Sequence, residues 1–305
     1  DRPTERDVEP GEEVREGRDA EEQISAPVPT LVPAPTPVSV QKVIMNTTRA
    51  GEVARDETWG GKITITNSVV VPAGVTLTIQ PGTTIAFTPN RDYKNPNKLS
   101  FEVNGTLVAV GTPEQRITFT SNAPIPQNGD WAMIRLFGKT KSVIKYAVIE
   151  FGQQGVNLWK SDATISHSIV RWNNWEGLYA ESYSTPLIEY NRVYQNGYNG
   201  MAMEQFNKAV VQNNLFEKNG THGLHIDASE ANVENNNFIE NGAAGLSLDD
   251  AAVVVAKGNT MSNNHLAGIM CGEGKNILNS VSCPDAASVQ QESGGGASTI
   301  VFDYP

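Results

Sequence analysis

The sequence predicts an all-β protein folded as a parallel β-helix (solenoid) of roughly ten coils. Three observations support this fold class. A repeat of about 23 residues runs through the second half of the chain, asparagine recurs at two positions of the repeat, and alternating apolar residues follow a recurring glycine. A fixed period of about 20 to 50 residues is typical of solenoids, in which each repeat forms one coil.

Each repeat predicts three short strands joined by three turns. It is too short for a strand–helix–strand unit, which needs about 30 residues. After each glycine the apolar residues alternate, as in Leu224 and Ile226 or Leu246 and Leu248. An alternation of two residues is typical of a strand with one buried face. Two further apolar runs in each repeat supply the other two strands.

The recurring asparagines predict two hydrogen-bonded ladders along the coils. Stacked coils lie about 4.8 Å apart, so an amide side chain at a fixed turn reaches its equivalents above and below. The first predicted ladder consists of Asn191, Asn214, Asn236 and Asn259, and the second of Asn196, Asn219, Asn241 and Asn264. Extended to earlier coils, the same spacing places His167 and Tyr146 in the first column and Trp172 in the second, and Asn279 follows Asn259.

Three segments carry a family resemblance. Residues 74–87 read GVTLTIQPGTTIAF, residues 104–112 read NGTLVAVGT and residues 116–121 read RITFTS. They resemble the opening coils of right-handed parallel β-helix proteins of the pectin-lyase-like superfamily, and the resemblance covers residues 57–283. It implies a right-handed coil but no particular activity, because this superfamily contains lyases, hydrolases, epimerases, adhesins and structural stalks.

Composition divides the 305-residue chain into three parts. Residues 1–39 form an extended N-terminal tail, acidic over 1–25 and rich in proline over 26–38. Such a tail is expected to be an extended spacer. Residues 40–285 form the β-helix, with a cap at 40–56, and residues 286–305 are a glycine-rich linker followed by a terminal strand. Residues 1–25 carry ten acidic and four basic residues, so most of the net charge of −11 lies there.

Charge and hydropathy limit the partners that we expect. No basic stripe points to nucleic acid, and no run of about 20 apolar residues predicts a membrane span. The chain begins at Asp1 without an apolar leader, which favours a processed, secreted protein at the cell surface or outside the cell. In an oxidising compartment Cys271 and Cys283 form a disulfide; otherwise they are two buried thiols.

The terminal segments predict self-assembly, because a strand on a flexible linker is able to pair with a neighbouring copy. The same strand also fits the open end of its own coil, and both interpretations stay open.

The strand after each glycine carries the candidate functional residues. Its outward positions form an acidic column of Glu181, Glu204, Asp227 and Asp249, in which hard oxygen ligands suit calcium. Glu204, Asp227 and Asp249, with His225 alongside, are candidates for acid–base catalysis on a sugar. A solvated polar face that keeps the protein soluble explains the same column. The candidate sugar-stacking residues are Tyr179, Tyr183, Trp172 and Trp175.

Two loops, Thr88–Ser100 and Asn122–Asp130, interrupt the early coils, and such loops often build the binding face of a solenoid.

Two functions follow from these features. The first is a non-catalytic extracellular structural protein, such as a surface stalk or filament subunit, that requires no cofactor. The alternative is a polysaccharide lyase, hydrolase or carbohydrate-binding module, with a cell-surface polysaccharide as its partner. Thr221-His222-Gly223 and Asp249-Asp250 resemble parts of polygalacturonase motifs, but the other motifs of that family are absent. Arg171 and Arg192, the candidates for a lyase base, lie outside the acidic column.

Overall fold

The computed structural model describes residues 42–92, 98–279, 281–282 and 288–289. They lie within the second of the two compact units of the chain, residues 41–305. All secondary-structure elements in this part are β-strands. In chain order they are β1 (Val43–Glu52), β2 (Glu57–Val71), β3 (Thr76–Ile79), β4 (Thr84–Phe87), β5 (Phe101–Val103), β6 (Thr106–Val110), β7 (Ile117–Ser121), β8 (Ile134–Phe137), β9 (Val143–Lys145), β10 (Ala147–Glu150), β11 (Val156–Trp159), β12 (Thr164–Ser166), β13 (Ile169–Arg171), β14 (Leu178–Glu181), β15 (Leu187–Glu189), β16 (Arg192–Tyr194), β17 (Met201–Glu204), β18 (Lys208–Gln212), β19 (Leu215–Glu217), β20 (Leu224–Asp227), β21 (Glu230–Glu234), β22 (Asn237–Ile239), β23 (Ala244–Asp249), β24 (Val253–Lys257), β25 (Thr260–Ser262), β26 (Ala267–Cys271), β27 (Ile277–Leu278), β28 (Val281–Ser282) and β29 (Ser288–Val289).

The strands stack into three parallel sheets, because each strand pairs with the strand three places further along the chain. Sheet A contains β5, β8, β11, β14, β17, β20, β23 and β26; sheet B contains β3, β6, β9, β12, β15, β18, β21, β24 and β27; sheet C contains β4, β7, β10, β13, β16, β19, β22 and β25. The long strand β2 pairs with the first strand of all three sheets and so forms a whole coil. The result is a parallel β-solenoid of about nine turns, close to the ten predicted.

The N-terminal segment predicted as a cap is itself a coil. Strand β1 pairs in parallel with three successive parts of β2, with register shifts after Met45 and Arg49 where the chain bends. Coils therefore begin at Val43, about 20 residues before the start near Ile63 that the apolar pattern suggests.

The core is a column of apolar side chains enclosed by the three sheets. In β20, Leu224 and Ile226 are fully buried, while the intervening residue and the last one face outward. Burying such a side chain stabilises the fold by roughly 1.5 to 3 kcal/mol. Stacking continues from coil to coil inside the core, because the rings of Phe216 and Phe238 lie parallel with centroids 5.1 Å apart.

Two asparagine ladders run along the coils as continuous hydrogen-bonded columns. In the first, the side-chain amides are linked over four coils at 2.9 to 3.1 Å, through Asn191, Asn214, Asn236 and Asn259. In the second, the links of 2.9 to 3.0 Å join Asn196, Asn219, Asn241 and Asn264. Each amide also donates to a backbone carbonyl, as Asn214 does to Ile188 O at 2.9 Å. All but Asn259 are buried, so these bonds satisfy amides that have no access to water.

The predicted N-terminal extension of the first ladder is wrong by one residue, because the column contains the residue after each one predicted. Asn191 Oδ1 accepts from the backbone N–H of Ser168, not of His167, and Ser168 Oγ accepts from Ala147, not from Tyr146. His167 and Tyr146 instead precede the column, with left-handed φ angles of 52° and 50°. Their rings lie beside each other with centroids 4.9 Å apart. A serine Oγ accepts the backbone N–H at this position of the coil just as an asparagine Oδ1 does. The column therefore continues through serine without a side-chain amide.

The predicted start of the second ladder is also one residue too early, and the predicted end of the first ladder is wrong. Asn173, not Trp172, donates to Asn196 Oδ1 at 2.9 Å. Asn279 is exposed and accepts from the backbone N–H of Ala256, so it does not continue the column beyond Asn259.

A third column, which the sequence analysis missed, follows the strands of sheet A. Ser161 N donates to Ser184 Oγ, Ser184 N to Asn207 Oδ1, and Asn207 N to Ser229 Oγ, at 2.9 to 3.1 Å. It contains three serines and one asparagine in these four coils, and so has no single residue type that marks it in the sequence.

At the C-terminal end, β28 and β29 turn back and pair antiparallel with β27 and β26. The tail at 1–39 and the terminal strand after residue 289 lie outside the described residues. The same holds for Cys283, while Cys271 is disulfide-bonded. The predicted assembly through the terminal segments therefore stays a prediction.

Candidate active site on the outer face of sheet A

The outer face of sheet A carries two columns of side chains, set by the register of its strands. The inner column contains the second residue of β8, β11, β14, β17 and β20, and the outer column contains the fourth. In β23 the residues in register with them are the fourth and the sixth. The inner column is Arg135, Asn157, Tyr179, Ala202, His225 and Ser247, and the outer column is Phe137, Trp159, Glu181, Glu204, Asp227 and Asp249. The four predicted carboxylates thus lie on one face, with His225 and Tyr179 beside them.

Side chains of the inner column pair diagonally with carboxylates of the next coil. Asn157 Nδ2 donates to Glu181 Oε1 at 2.9 Å, and the Tyr179 hydroxyl donates to Glu204 Oε2 at 2.6 Å. The next inner residue is alanine, which has no donor. The pattern resumes one coil later, where an imidazole nitrogen of the inner column lies 3.5 Å from the last carboxylate of the outer column.

The carboxylate left without a diagonal partner is that of Asp227, because Ala202 occupies the donor position. In the described part of the chain, Asp227 receives no side-chain hydrogen bond. Burial raises the pKa of Asp227, and the charges of Asp250, Glu204 and Asp249 raise it further, against a lowering by His225. Asp227 therefore retains its proton to a higher pH than an isolated aspartate.

His225 is held between two neighbours. Its Nδ1 is 3.5 Å from Asp249 Oδ2, which Ser247 also approaches at 3.3 Å. The ring stacks on His222 with centroids 5.7 Å apart. The Nδ1 of His225 is buried, and the 3.5 Å separation is too long for a good hydrogen bond.

His222 has a structural position in the turn before β20. Its Nδ1 accepts from the backbone N–H of Ala244 at 3.2 Å. Burial lowers the pKa of His222 to about 4, helped by the charge of His225. A neutral His222 with its proton on Nε2 therefore packs against His225 and does not titrate near neutral pH.

Tyr179 is a hydrogen-bond donor and not a base. Burial raises the pKa of its hydroxyl far above the usual value, and the bond to Glu204 adds to that shift. Glu204 is correspondingly occupied, which makes it a weaker candidate for catalysis than Asp227.

Exposed aromatic residues flank this face on both sides. Trp175 and Tyr198 occupy equivalent turn positions in front of sheet A and are each half exposed. Tyr183 and Phe206 follow its strands, are more than half exposed and stack with centroids 5.5 Å apart. The predicted stacking residues Tyr183 and Trp175 thus border the candidate site, while Tyr179 forms part of its floor.

Trp172, the fourth predicted stacking residue, lies elsewhere. It follows β13 of sheet C, where the guanidinium of Arg171 lies 3.8 Å from its ring centroid. Arg171 also pairs with Glu150, and Arg192 with Glu217, each at 2.8 Å. Both arginines face outward from sheet C, so neither reaches the acidic column.

The described residues of the two predicted loops, 88–92 with 98–100 and 122–130, lie together next to the row that contains Trp175. Asn90 N donates to Asp130 O at 2.6 Å, and Arg91 forms an ion pair with the buried Asp130 at 2.8 Å. Lys98 contacts Gly129 O and lies 3.4 Å from Gln153 Oε1. The carbonyl of Gln153 in turn accepts from Trp175 N, which connects the loops to the aromatic row.

Calcium binding by the column stays a prediction. The four carboxylates are in register, but within the described residues no three His, Cys, Asp or Glu side chains converge on one point suited to a metal ion. Over the same residues, no helix has the length and apolar character that crossing a membrane requires.

Comparisons with known proteins agree with this architecture. A family model described as "Right handed beta helix region" matches residues 132–283, and one described as "Pectate-lyase like beta helix domain" matches residues 51–156. No curated protein sequence matches the chain.

Similar solved structures include a double mutant of the periplasmic alginate epimerase AlgG (14% identity, TM-score 0.48), with 75% of this chain and 64% of that chain covered. Another is the A-module of the Azotobacter vinelandii mannuronan C-5 epimerase AlgE4 (14% identity, TM-score 0.46), with 72% and 73% covered. This chain thus spans less than two thirds of the AlgG mutant. With two β-helix family models matching overlapping parts of the chain and three parallel sheets wound into coils, this chain folds as a right-handed parallel β-helix.

Proposed function

We propose that this protein is a polysaccharide-active β-helix protein that binds a glycan along the outer face of sheet A. Asp227 is the general acid of the site and His225 the general base. The observation that carries the proposal is the missing partner of Asp227, because Glu181, Glu204 and Asp249 each accept a side-chain hydrogen bond.

The environment of Asp227 suits proton donation to a sugar oxygen. A general acid works best when its pKa lies near the working pH, and burial with neighbouring carboxylates shifts Asp227 in that direction. The missing partner leaves its oxygens available to a ligand. Glu181 and Glu204 lack this freedom because each already accepts a hydrogen bond.

His225 is oriented to act as the base. The Nδ1 of His225 lies 3.5 Å from Asp249 Oδ2, and a proton on Nδ1 would leave the lone pair of Nε2 to take a proton from the substrate or from water. His225 and Asp227 are two positions apart on one strand, about 6.6 Å, and share its outer face. Acid and base are therefore spaced to act on two atoms of one sugar unit.

The flanking aromatic residues supply recognition. Sugar rings present apolar faces that pack on exposed aromatic rings, and Trp175 with Tyr198 on one side and Tyr183 with Phe206 on the other offer such surfaces. The disulfide at Cys271 favours an oxidising, extracellular location, where polysaccharides are found.

The proposal is tested with a panel of neutral and acidic polysaccharides. Binding is measured by affinity electrophoresis, and cleavage or modification by reducing ends, absorbance of unsaturated products and NMR. We expect the wild type to act on one polymer. Asp227→Asn and His225→Ala should each reduce the rate at least about 100-fold, the usual contribution of general acid–base catalysis.

Glu230→Gln is the matched control, because Glu230 is an exposed carboxylate on the outer face of sheet B. Its activity should equal that of the wild type. If the wild type neither binds nor alters any polymer, or if Asp227→Asn is fully active, the proposed function is wrong.

A further inference from the structure

The turns that follow sheet A are not all of equal length. Two residues separate the strand end from the serine–asparagine column after β14 and after β17, namely Ser182 with Tyr183 and Gln205 with Phe206. After β11 and after β20 only one residue precedes the column, Lys160 before Ser161 and Ala228 before Ser229. After β23 two residues return, Asp250 and Ala251.

Backbone hydrogen bonds identify which residue is missing. Tyr183 N donates to Gln205 O, and Phe206 N donates in the same manner to Ala228 O. Ala228 is therefore equivalent to Gln205, the first turn residue. The second turn position, held by Tyr183 and Phe206 in the preceding coils, has no residue in this coil.

The aromatic stack of this turn ends at Phe206. Its ring stacks on Tyr183 of the preceding coil, and the following coil has no residue at the equivalent position to continue the stack. Phe206 is 60% exposed and holds a left-handed φ of 64°. Tyr183, with a φ of 64° and 62% exposure, has the same conformation one coil earlier, so the two rings form one exposed stack that ends at Phe206.

The gap has the dimensions of one sugar ring. Phe206 and Ala251 occupy the same position two coils apart, about 9.6 Å at the spacing of stacked strands. A ring in contact with both at about 4 Å fits between them. Asp227 ends the strand at the floor of the gap, and small residues adjoin it, Ala202 beside it and Ala228 after it.

The charges around the gap define the ligand. Asp227, Asp249 and Asp250 lie close enough to interact. Of the nearby cations, Lys208 is paired with Glu230 and Lys139 donates to Tyr183 O, one coil before Phe206. A uronic acid would place its carboxylate among these aspartates, which is unfavourable. Sugar hydroxyls instead donate well to carboxylates.

We infer that this gap is a subsite for one neutral pyranose unit, which stacks on Phe206 and donates its hydroxyls to Asp227 and Asp250. The inference rests on the proposed function, because Asp227 serves both. It adds the substrate class, a neutral glycan, and makes Phe206 a specificity-determining residue.

The experiment measures binding by calorimetry with hexasaccharides of glucose, mannose and xylose as neutral probes and trigalacturonate as the charged probe. The wild type should bind one neutral probe and bind trigalacturonate at least 10-fold more weakly. Phe206→Ala should weaken binding of the neutral probe at least 10-fold, and Phe206→Tyr should retain it. Insertion of one alanine after Ala228 restores the length of the neighbouring turns and should abolish binding.

Tyr190→Ala is the control, since Tyr190 is also an exposed aromatic with a left-handed φ, but on the turn after sheet B. Circular dichroism checks that each variant keeps the wild-type fold. Wild-type affinity in both Phe206→Ala and the insertion variant would overturn the subsite while leaving the proposed function intact. Preference for trigalacturonate would overturn the neutral ligand class alone, and failure of the wild type to bind any glycan would overturn both proposals.

Discussion

The asparagine ladders and the outer face of sheet A follow the same 23-residue period but differ in how fully their polar groups are paired. Inside the coil, the amide of Asn214 accepts from Asn191 and donates to Asn236 and to a backbone carbonyl. On the outer face the diagonal pairing breaks at Asp227. Because the coils stack, side chains at one repeat position form a column. A polar side chain that lacks the hydrogen bond made by the rest of its column is therefore a candidate for a role in ligand binding.

The largest effect is expected from breaking a ladder. Asn214→Ala removes the acceptor of both the backbone N–H and the side-chain amide of Asn191, and it removes the side-chain donor to Ile188 O. Asn236 Oδ1 loses the amide but keeps the backbone N–H of residue 214. Because each buried unsatisfied group costs about 1 to 3 kcal/mol, we expect the free energy of unfolding to fall by about 3 kcal/mol or more. Chemical denaturation of the variant measures this change.

Asn232→Ala serves as the control for the ladder, because Asn232 is an exposed asparagine on the outer face of sheet B. It should change stability by less than about 0.5 kcal/mol. Equal losses in the two variants would show that the ladder bonds contribute little beyond the local preference for asparagine.

An intermediate and pH-dependent effect is expected at Asp227. Its folded-state pKa is raised, so the folded protein binds the proton more tightly than the unfolded chain. Stability therefore falls as the pH rises through this window, and the ionised carboxylate is unfavourable above it. Asp227→Asn should melt at a higher temperature than the wild type at pH 7, and the difference should disappear below the usual value of 3.8.

Thermal melts from pH 3 to pH 8 test this prediction. Glu273→Gln, which neutralises an exposed carboxylate near the end of sheet A, should show no such trend. A wild type that is more stable than Asp227→Asn at pH 7 would mean that Asp227 is held by a favourable contact and is not poised for a ligand.

The sequence alone predicts the fold and the acidic column because both depend only on the period. Residues about 23 apart become vertical neighbours, so Glu181, Glu204, Asp227 and Asp249 fall in line without any knowledge of the turns. The prediction of the first ladder fails in the earlier coils, where serine takes the place of asparagine. Ser168 accepts the same backbone N–H as an asparagine, so the identity of the residue no longer marks the column.

The unpaired state of Asp227 depends on two features that are visible only in three dimensions. One is the diagonal offset by which Tyr179 and His225 contact the carboxylates of the following coil. By the same offset, Ala202 occupies the position from which a donor would reach Asp227. The other is the one-residue turn at Ala228. The shorter spacing from Asp227 to Ser229 is present in the sequence, but it has meaning only once Ser184, Asn207 and Ser229 are known to stack.

The smallest effect is expected on the outer face of sheet B, where pairing is present but exposed. Lys208 and Glu230 form an ion pair at 3.0 Å with both side chains more than half exposed. Because water screens such pairs, Lys208→Ala should change the free energy of unfolding by at most about 0.5 kcal/mol. Denaturation at low and at 1 M salt measures it, with the double variant Lys208→Ala, Glu230→Ala closing the cycle. A coupling energy well above 1 kcal/mol would mean that a polar pair on an exposed face stabilises the fold as much as a pair inside the coil. The difference between the buried ladders and the outer face at Asp227 would then not depend on burial.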